Sequence, residues 1–326
     1  MTPLSVILVT HNPRSDLLAA ALESVARQTL AREAFEVLVV DNASTPALEQ
    51  AHLRAAYAPE LRLIREPRLG ISFARCAGIR AARGEILVFV DDDNRLAADY
   101  LEGALEIASR RPEAGAFGGI CEPLFECHVP PWKIRLLPYL GVRDHGPEPI
   151  VSRSGEWGKW DPIGAGMVIR RPVGERFLRI LEEHPEAQRL GRAGGALMSG
   201  EDTLMARAAW LLGYACSYEP SLRLKHVMKS GRLAVPVLAG ALYGHGRSYV
   251  ILQRLLGRPA GRAGWLLPAE LLLSYCSRVR NEGLRVGTIS WFWDLGRAVE
   301  LWQSSSRPAA PALSRQTCNE NLDRHP

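Results

Sequence analysis

The sequence predicts an α/β fold, a mostly parallel sheet flanked by helices on both faces, followed by a helical C-terminal extension. Three observations predict it. Short apolar, β-branched runs recur through the first half of the chain, stretches with apolar residues at helical spacing lie between them, and two of the runs end directly on aspartate, at Asp41 and Asp91. Repeated strand–helix units imply parallel pairing, because a crossover helix is what returns the chain to the same end of the sheet.

The elements follow in order. Leu4-Ser5-Val6-Ile7-Leu8-Val9-Thr10 is a buried strand. Asp16 to Gln28 carries Leu17, Leu18, Ala21, Leu22 and Val25 on one helical face. Phe35 to Val40 is the second strand, and Thr45-Pro46 predicts the cap and first turn of a helix after it. Leu61 to Arg65 is a short strand, Gly70 to Ala82 a loop and helix, and Ile86 to Val90 the fourth strand. From Cys121 to Asp161 the pattern lapses into a segment with six prolines and with Trp132, Trp157 and Trp160. So long an unpatterned stretch inside a compact domain is usually functional. The α/β pattern resumes at Met167-Val168-Ile169, a helix over Glu201 to Leu212 closes on Gly213, and Cys216 to Glu219 forms the last strand. Beyond His226 the chain is helical and basic. The expected organisation is an α/β domain over 1–227, a basic helical extension over 228–303 and a polar, disordered tail over 304–326.

With 326 residues, 47% hydrophobic and 23% charged, the chain can bury a large core without covalent staples. Six cysteines without framework spacing predict reduced thiols and a cytoplasmic protein. No basic, apolar leader precedes the first strand, and no run reaches the length of a spanning helix. The net charge of +5 is uneven: Arg223 to Arg297 holds twelve Lys and Arg against three Asp and Glu, a surplus of nine. Together with Trp265, Trp291 and Trp293, that surplus predicts peripheral contact with an anionic membrane face or an anionic substrate. No nucleic-acid motif accompanies the charge, so nucleic acid is not an expected partner.

The chemistry concentrates at strand ends, where open α/β sheets bind ligands. Asp91-Asp92-Asp93 follows the fourth strand directly. Three adjacent carboxylates repel unless a cation or a water-filled cleft relieves them; they fit a solvated acidic turn before the next helix, or a site for hard divalent ions such as Mn²⁺ or Mg²⁺, which take oxygen ligands completed by substrate phosphates. If strand alternation continues, Asp91 and Asp93 face one metal site. Asp41 can meet a base or ribose edge, though Asp is also an ordinary turn residue. After Ser199-Gly200, Glu201 and Asp202 fit a helix cap with acids in the first turn. Arg75 can fork onto a phosphate or lie on a helix surface. Trp157 and Trp160 suit sugar faces, and Gly164 permits close backbone approach on the acceptor side.

Val9-Thr10-His11-Asn12, Val40-Asp41-Asn42-Ala43-Ser44, the segment Gly70 to Ile79, Asp91-Asp92-Asp93 and Glu201-Asp202 resemble, in order and spacing, the motifs of the family 2 glycosyltransferases of GT-A fold. Cys76 stands where that segment often has Asn. The resemblance covers about Leu4 to His226. It implies inverting transfer from a nucleotide-sugar donor to a saccharide or lipid-linked acceptor, in surface polysaccharide or glycolipid synthesis on the inner face of the plasma membrane. It places Thr10, Asn12, Asp41, Arg75 and Asp92 on the donor side, Asp91 and Asp93 on a divalent metal with His226 as a further ligand, and Asp202, beside Glu201, as the catalytic base. Two other readings share the ingredients: a sugar-phosphate nucleotidyltransferase, and a non-catalytic nucleotide-sugar-binding scaffold. The first lacks its glycine-rich basic loop, since that position reads Thr10-His11-Asn12-Pro13-Arg14.

Overall fold

The computed structural model describes residues 3–51, 53, 61–195, 197–261, 267–305 and 311–313. The chain runs β1 (Leu4–Thr10), α1 (Ser15–Ala26), β2 (Phe35–Asn42), β3 (Arg62–Glu66), α2 (Ile71–Ala81), β4 (Ile86–Asp91), β5 (Asn94–Leu96), α3 (Tyr100–Arg110), β6 (Ala114–Phe125), the single turn α4 (Pro131–Ile134), β7 (Ile150–Ser152), β8 (Val168–Arg170), α5 (Arg171–Glu183), α6 (Glu201–Leu211), β9 (Ala215–Met228), α7 (Val235–Leu255), α8 (Leu267–Glu282) and α9 (Leu284–Ser304).

Among the described residues one mixed sheet has the order β3-β2-β1-β4-β8-β6-β9-β5, with β7 on β9. The pairs β3–β2, β2–β1, β1–β4 and β6–β9 are parallel, while β8 runs antiparallel between β4 and β6. Every residue of β1 is buried, as expected of a central strand covered on both faces. One core lies on each face: Ile7, Leu38, Phe89, Phe177 and Leu204 belong to one, and Leu4, Val39, Val88, Tyr100 and Phe117 to the other. Register then places the chemistry. Thr10 pairs with Asp41 and Val9 with Asp91, so the carboxyl ends of β1, β2 and β4 are level. Antiparallel β5 sets Asn94 opposite His226 on β9.

Some expectations are corrected. No helix starts at Thr45-Pro46: those residues lie in a turn whose backbone amides are tied by Asp41 and Asn12. The last strand is far longer than Cys216 to Glu219, because β9 continues to Met228 along β6. The Pro-rich segment holds β7 and the end of β6. Ser304 ends α9, and Leu313 is buried with its N–H donated to the Leu255 carbonyl, so these residues are not a free tail. Residues 306–310 and 314–326, and Trp265, lie outside the described residues.

In the extension α7 packs closely on α9. A Cβ at Gly296 would overlap the Tyr243 carbonyl oxygen, and one at Gly246 the Trp293 carbonyl oxygen, so both positions must be glycine at this spacing. Glu300 is wholly buried there and pairs with Arg189 at 2.8 Å and Arg247 at 2.7 Å. Among the described residues no helix is long and apolar enough to cross a membrane.

Candidate active site

The level ends of β1, β2 and β4 build one wall. Thr10 is buried, and its hydroxyl donates to Asp92 Oδ2 at 2.5 Å. Burial pushes the Asp92 carboxyl up to about 6, partly offset by that hydrogen bond. Asp91 closes β4, whereas Asp92 and Asp93 form the turn into β5. Strand alternation therefore ends at Asp91 and does not govern how Asp91 and Asp93 face, contrary to the expectation from sequence.

Asp93 is buried beneath β9. Its Oδ1 lies 3.3 Å from His226 Nε2, and its Oδ2 lies 3.4 Å from both Lys229 Nζ and Arg232 Nη1. Burial would raise its pKa, but the adjoining His226, Arg232 and Lys229 hold it well below the usual carboxylate range. Lys229 and Arg232 were not anticipated. The signal was a short basic turn after the last strand, and only the β5–β9 pairing reveals what it faces.

The opposite wall is the start of α6. Its cap is Gly200, with a left-handed φ of 112° and no side-chain cap. Ser199 is not the cap that the sequence suggested, because its hydroxyl engages His245 Nδ1 at 2.7 Å. Glu201 is buried and pairs with Arg75 Nη1 at 3.0 Å, leaving Oε2 without a hydrogen-bond partner. Burial raises the Glu201 carboxyl to about 6 in spite of Arg75. Asp202 is half-buried. Its Oδ2 accepts the Gly164 N–H at 3.1 Å and its Oδ1 the Thr203 N–H at 2.7 Å.

Arg75 joins the two walls. It is 1% exposed, with Nη2 3.8 Å from Asp91 Oδ1 and Nη1 on Glu201. A Cβ on Gly164 would overlap that guanidinium. Arg75 is thus committed to carboxylates inside the protein, a different place from the open phosphate fork expected of it. Asp41 also differs from expectation. It is buried, and its two oxygens accept the Ser44 and Leu48 N–H groups, so it shapes the loop that follows β2. Asn12, with a left-handed φ of 47°, accepts the Thr45 N–H and ties β1 to that loop. Asn42, which sequence reasoning passed over, bonds the Glu66 and Arg68 carbonyls and the Gly70 N–H, and so fixes the entry to α2. Trp160 packs against a core rather than offering an open face, while Trp157 is 73% exposed.

Do these residues fit a divalent cation? Among the described residues no three His, Cys, Asp or Glu groups gather as a metal cluster. Yet Asp91 Oδ1 and both ring nitrogens of His226 are buried without hydrogen-bond partners. A partial, oxygen-rich donor set of this kind fits a hard ion whose shell is completed by substrate phosphates.

Comparison with known proteins decides the family. Residues 5–177, more than half of the chain, match the model for glycosyl transferase family 2. The chain belongs to glycosyl transferase family 2. An uncharacterized glycosyltransferase of Haemophilus influenzae is 31% identical over 110 residues, 33% of this chain and 35% of that protein. The validoxylamine A glucosyltransferase of Streptomyces hygroscopicus subsp. jinggangensis is 31% identical over 157 residues, 47% of this chain and 35% of that protein. The matched stretches thus span about a third of the length of these relatives. The crystal structure of S. aureus TarS 1-349 superposes with a TM-score of 0.49 at 16% identity, over 90% of this chain and 92% of that one. The mixed sheet with helices on both faces is the GT-A-like architecture of the family.

Proposed function

We propose that this family 2 glycosyltransferase moves a sugar, with inversion, from a nucleoside-diphosphate sugar onto an acceptor hydroxyl, with Asp202 as the general base. One observation carries the reading: the buried Arg75 spans the aspartate triplet and the acidic pair, so one guanidinium brings the two sets of carboxylates together. In this reading Asp91, Asp93 and His226 hold Mn²⁺ or Mg²⁺, which when bound neutralises charge on the departing diphosphate. Asp202 takes the acceptor proton. The Gly164 N–H on Oδ2 fixes its carboxylate, and it is Asp202, not the Arg75-bound Glu201, that remains open to an acceptor. Direct attack by a single acceptor inverts the anomeric carbon. Thr10 and Asp92 form the donor side, with Asn12 and Asp41 shaping its loop. Trp157, which is exposed, and the buried Gly164 lie on the acceptor side, where a saccharide or lipid-linked acceptor enters.

The test is a panel of nucleotide-sugars with Mn²⁺. Release of nucleoside diphosphate is expected, and chelation by EDTA should stop it until metal is restored. Pyrophosphate release would mark a nucleotidyltransferase instead, and no release from any donor would leave a binding scaffold. Full transfer in chelator would remove the metal from the scheme.

The setting in this reading is surface polysaccharide or glycolipid synthesis at the cytoplasmic membrane face. Its support is the surplus of nine positive charges in the C-terminal third, with Leu272 and Leu273 of α8 64% and 71% exposed. Anionic vesicles should bind the protein at low salt and release it at high salt, and no binding at low salt would refute the membrane setting.

A further inference from the structure

Two cations meet on one oxygen beside the aspartate triplet. Lys229 Nζ and Arg232 Nη1 each stand 3.4 Å from Asp93 Oδ2. Charge-assisted bonds normally close to about 2.7–2.9 Å, so both contacts are long. The cations outnumber the negative charge they share. Arg232 is mostly buried, with its Nε lacking any hydrogen-bond partner, so its charge is poorly compensated where it stands. The backbone aims them there: Val227 N–H donates to the Asp93 carbonyl, Arg232 N–H to the Lys229 carbonyl, and Leu233 anchors the turn in a core.

We propose that Lys229 and Arg232 form an anion clamp that pairs with Asp93 and passes to the donor diphosphate when a divalent cation takes Asp93. The inference rests on the nucleotide-sugar reading above and deepens it by naming residues that bind the diphosphate. A cation at Asp93 repels the two side chains from that carboxylate, while a diphosphate beside it offers them more than one negative charge. Asp93 is thereby never left bare, and metal and diphosphate each make room for the other.

The exchange predicts effects of opposite sign. Lys229→Ala removes a competitor for Asp93, so Mn²⁺ alone should bind more tightly, by a few-fold. The same change removes a clamp charge, so inorganic pyrophosphate in the presence of Mn²⁺ should bind more weakly, by about tenfold or more. Arg232→Lys, which keeps the charge but loses the planar fork, should weaken pyrophosphate binding less than Arg232→Ala. Arg223→Ala, an exposed pair with Glu122 away from Asp93, should change neither. Both affinities are measured by calorimetry on the full chain, with unfolding temperature as a check on Arg232→Ala. A residue that merely supports the fold would lower both affinities together, and that result overturns the clamp. Variants that bind manganese pyrophosphate like the wild type overturn it as well, while leaving the donor reading standing. If the wild type binds neither pyrophosphate nor any nucleoside diphosphate, the donor reading falls first and the clamp with it.

Discussion

Replacing Arg75 by Met gives the sharpest test of the buried link between the two walls. Arg75 and the Glu201 side chain are 1% and 9% exposed, and their charged atoms lie 3.0 Å apart. Burial already raises Glu201 from its ordinary 4.5 to about 6 with Arg75 in place. Without Arg75 the largest influence opposing burial is gone, and Glu201 should stay protonated well above pH 6. A carboxyl whose folded pKa exceeds its unfolded value makes the folded state hold more protons, so stability falls as pH rises between the two values. Wild type and variant should therefore lose stability together from about 4.5 to about 6. Above 6 the wild type levels off, while Arg75→Met continues to fall by about 1.4 kcal/mol per pH unit for as long as Glu201 keeps its proton. Between pH 6 and 8 the gap should widen by about 3 kcal/mol, close to the usual cost of breaking a buried pair. Urea unfolding midpoints at pH 6, 7 and 8 measure it, with unchanged slopes as the check on two-state behaviour. Arg75→Met with Glu201→Gln should lose the pH dependence and recover stability, but not transfer, because Asp91 has still lost its neighbour. Parallel curves for wild type and Arg75→Met from pH 6 to 8, or a double variant as pH-sensitive as the single one, would refute the reasoning.

Three other expectations follow. Asp202→Asn should fold and bind nucleoside diphosphate while turnover drops about 10²–10⁴-fold; its amide can accept only one of the Gly164 and Thr203 N–H groups, so a loss of about 1–3 kcal/mol in urea is also expected. An active Asp202→Asn enzyme would return the residue to the helix terminus. Gly296→Ala should separate α7 from α9 and cost about 1–3 kcal/mol, whereas Gly231→Ala, with nothing within 4 Å of its Cβ, should stay within about 0.5 kcal/mol; equal effects would contradict the close helix contact. For Glu300, burial is outweighed by Arg189 and Arg247, which hold its carboxyl below the ordinary range. Its contribution is present at neutral pH and is lost as pH falls through and below 4.5, so the stability gap between wild type and Glu300→Gln should close on acidification; a gap constant from pH 7 to 3.5 would count against it.

The sheet was legible because its strands are locally consistent. Leu4 to Thr10, Phe35 to Val40 and Ile86 to Val90 are apolar runs that only a doubly covered strand satisfies, and each is a strand in the structure. Residues whose neighbours are distant in sequence were harder. Cys216 to Glu219 looked like a whole strand because the continuation through Pro220 and the alternating Arg223, Leu224 and Lys225 reads as loop; pairing with β6 overrides that local signal. Thr45-Pro46 carried a helix-start signal, but Asp41 and Asn12 take the amides a helix would have used.

The site divides in the same way, and the division has a physical cause. A carboxylate at a strand end announces itself, because acids rarely follow a buried strand without a partner. What the partner is depends on register. Arg75 looked like a surface helix arginine or a phosphate fork, since nothing in Ile71 to Ala81 records that Glu201, 126 residues later, will meet it in the interior. Lys229 and Arg232 looked like part of a diffuse basic surplus, until the pairing of Asn94 with His226 carried them onto Asp93. Burial supplies the remaining information: the same arginine is worth little on a helix surface and several kcal/mol when its loss strands a buried carboxylate. A sequence lists the charges, but their interaction energies appear only once the sheet has decided which of them leave water together.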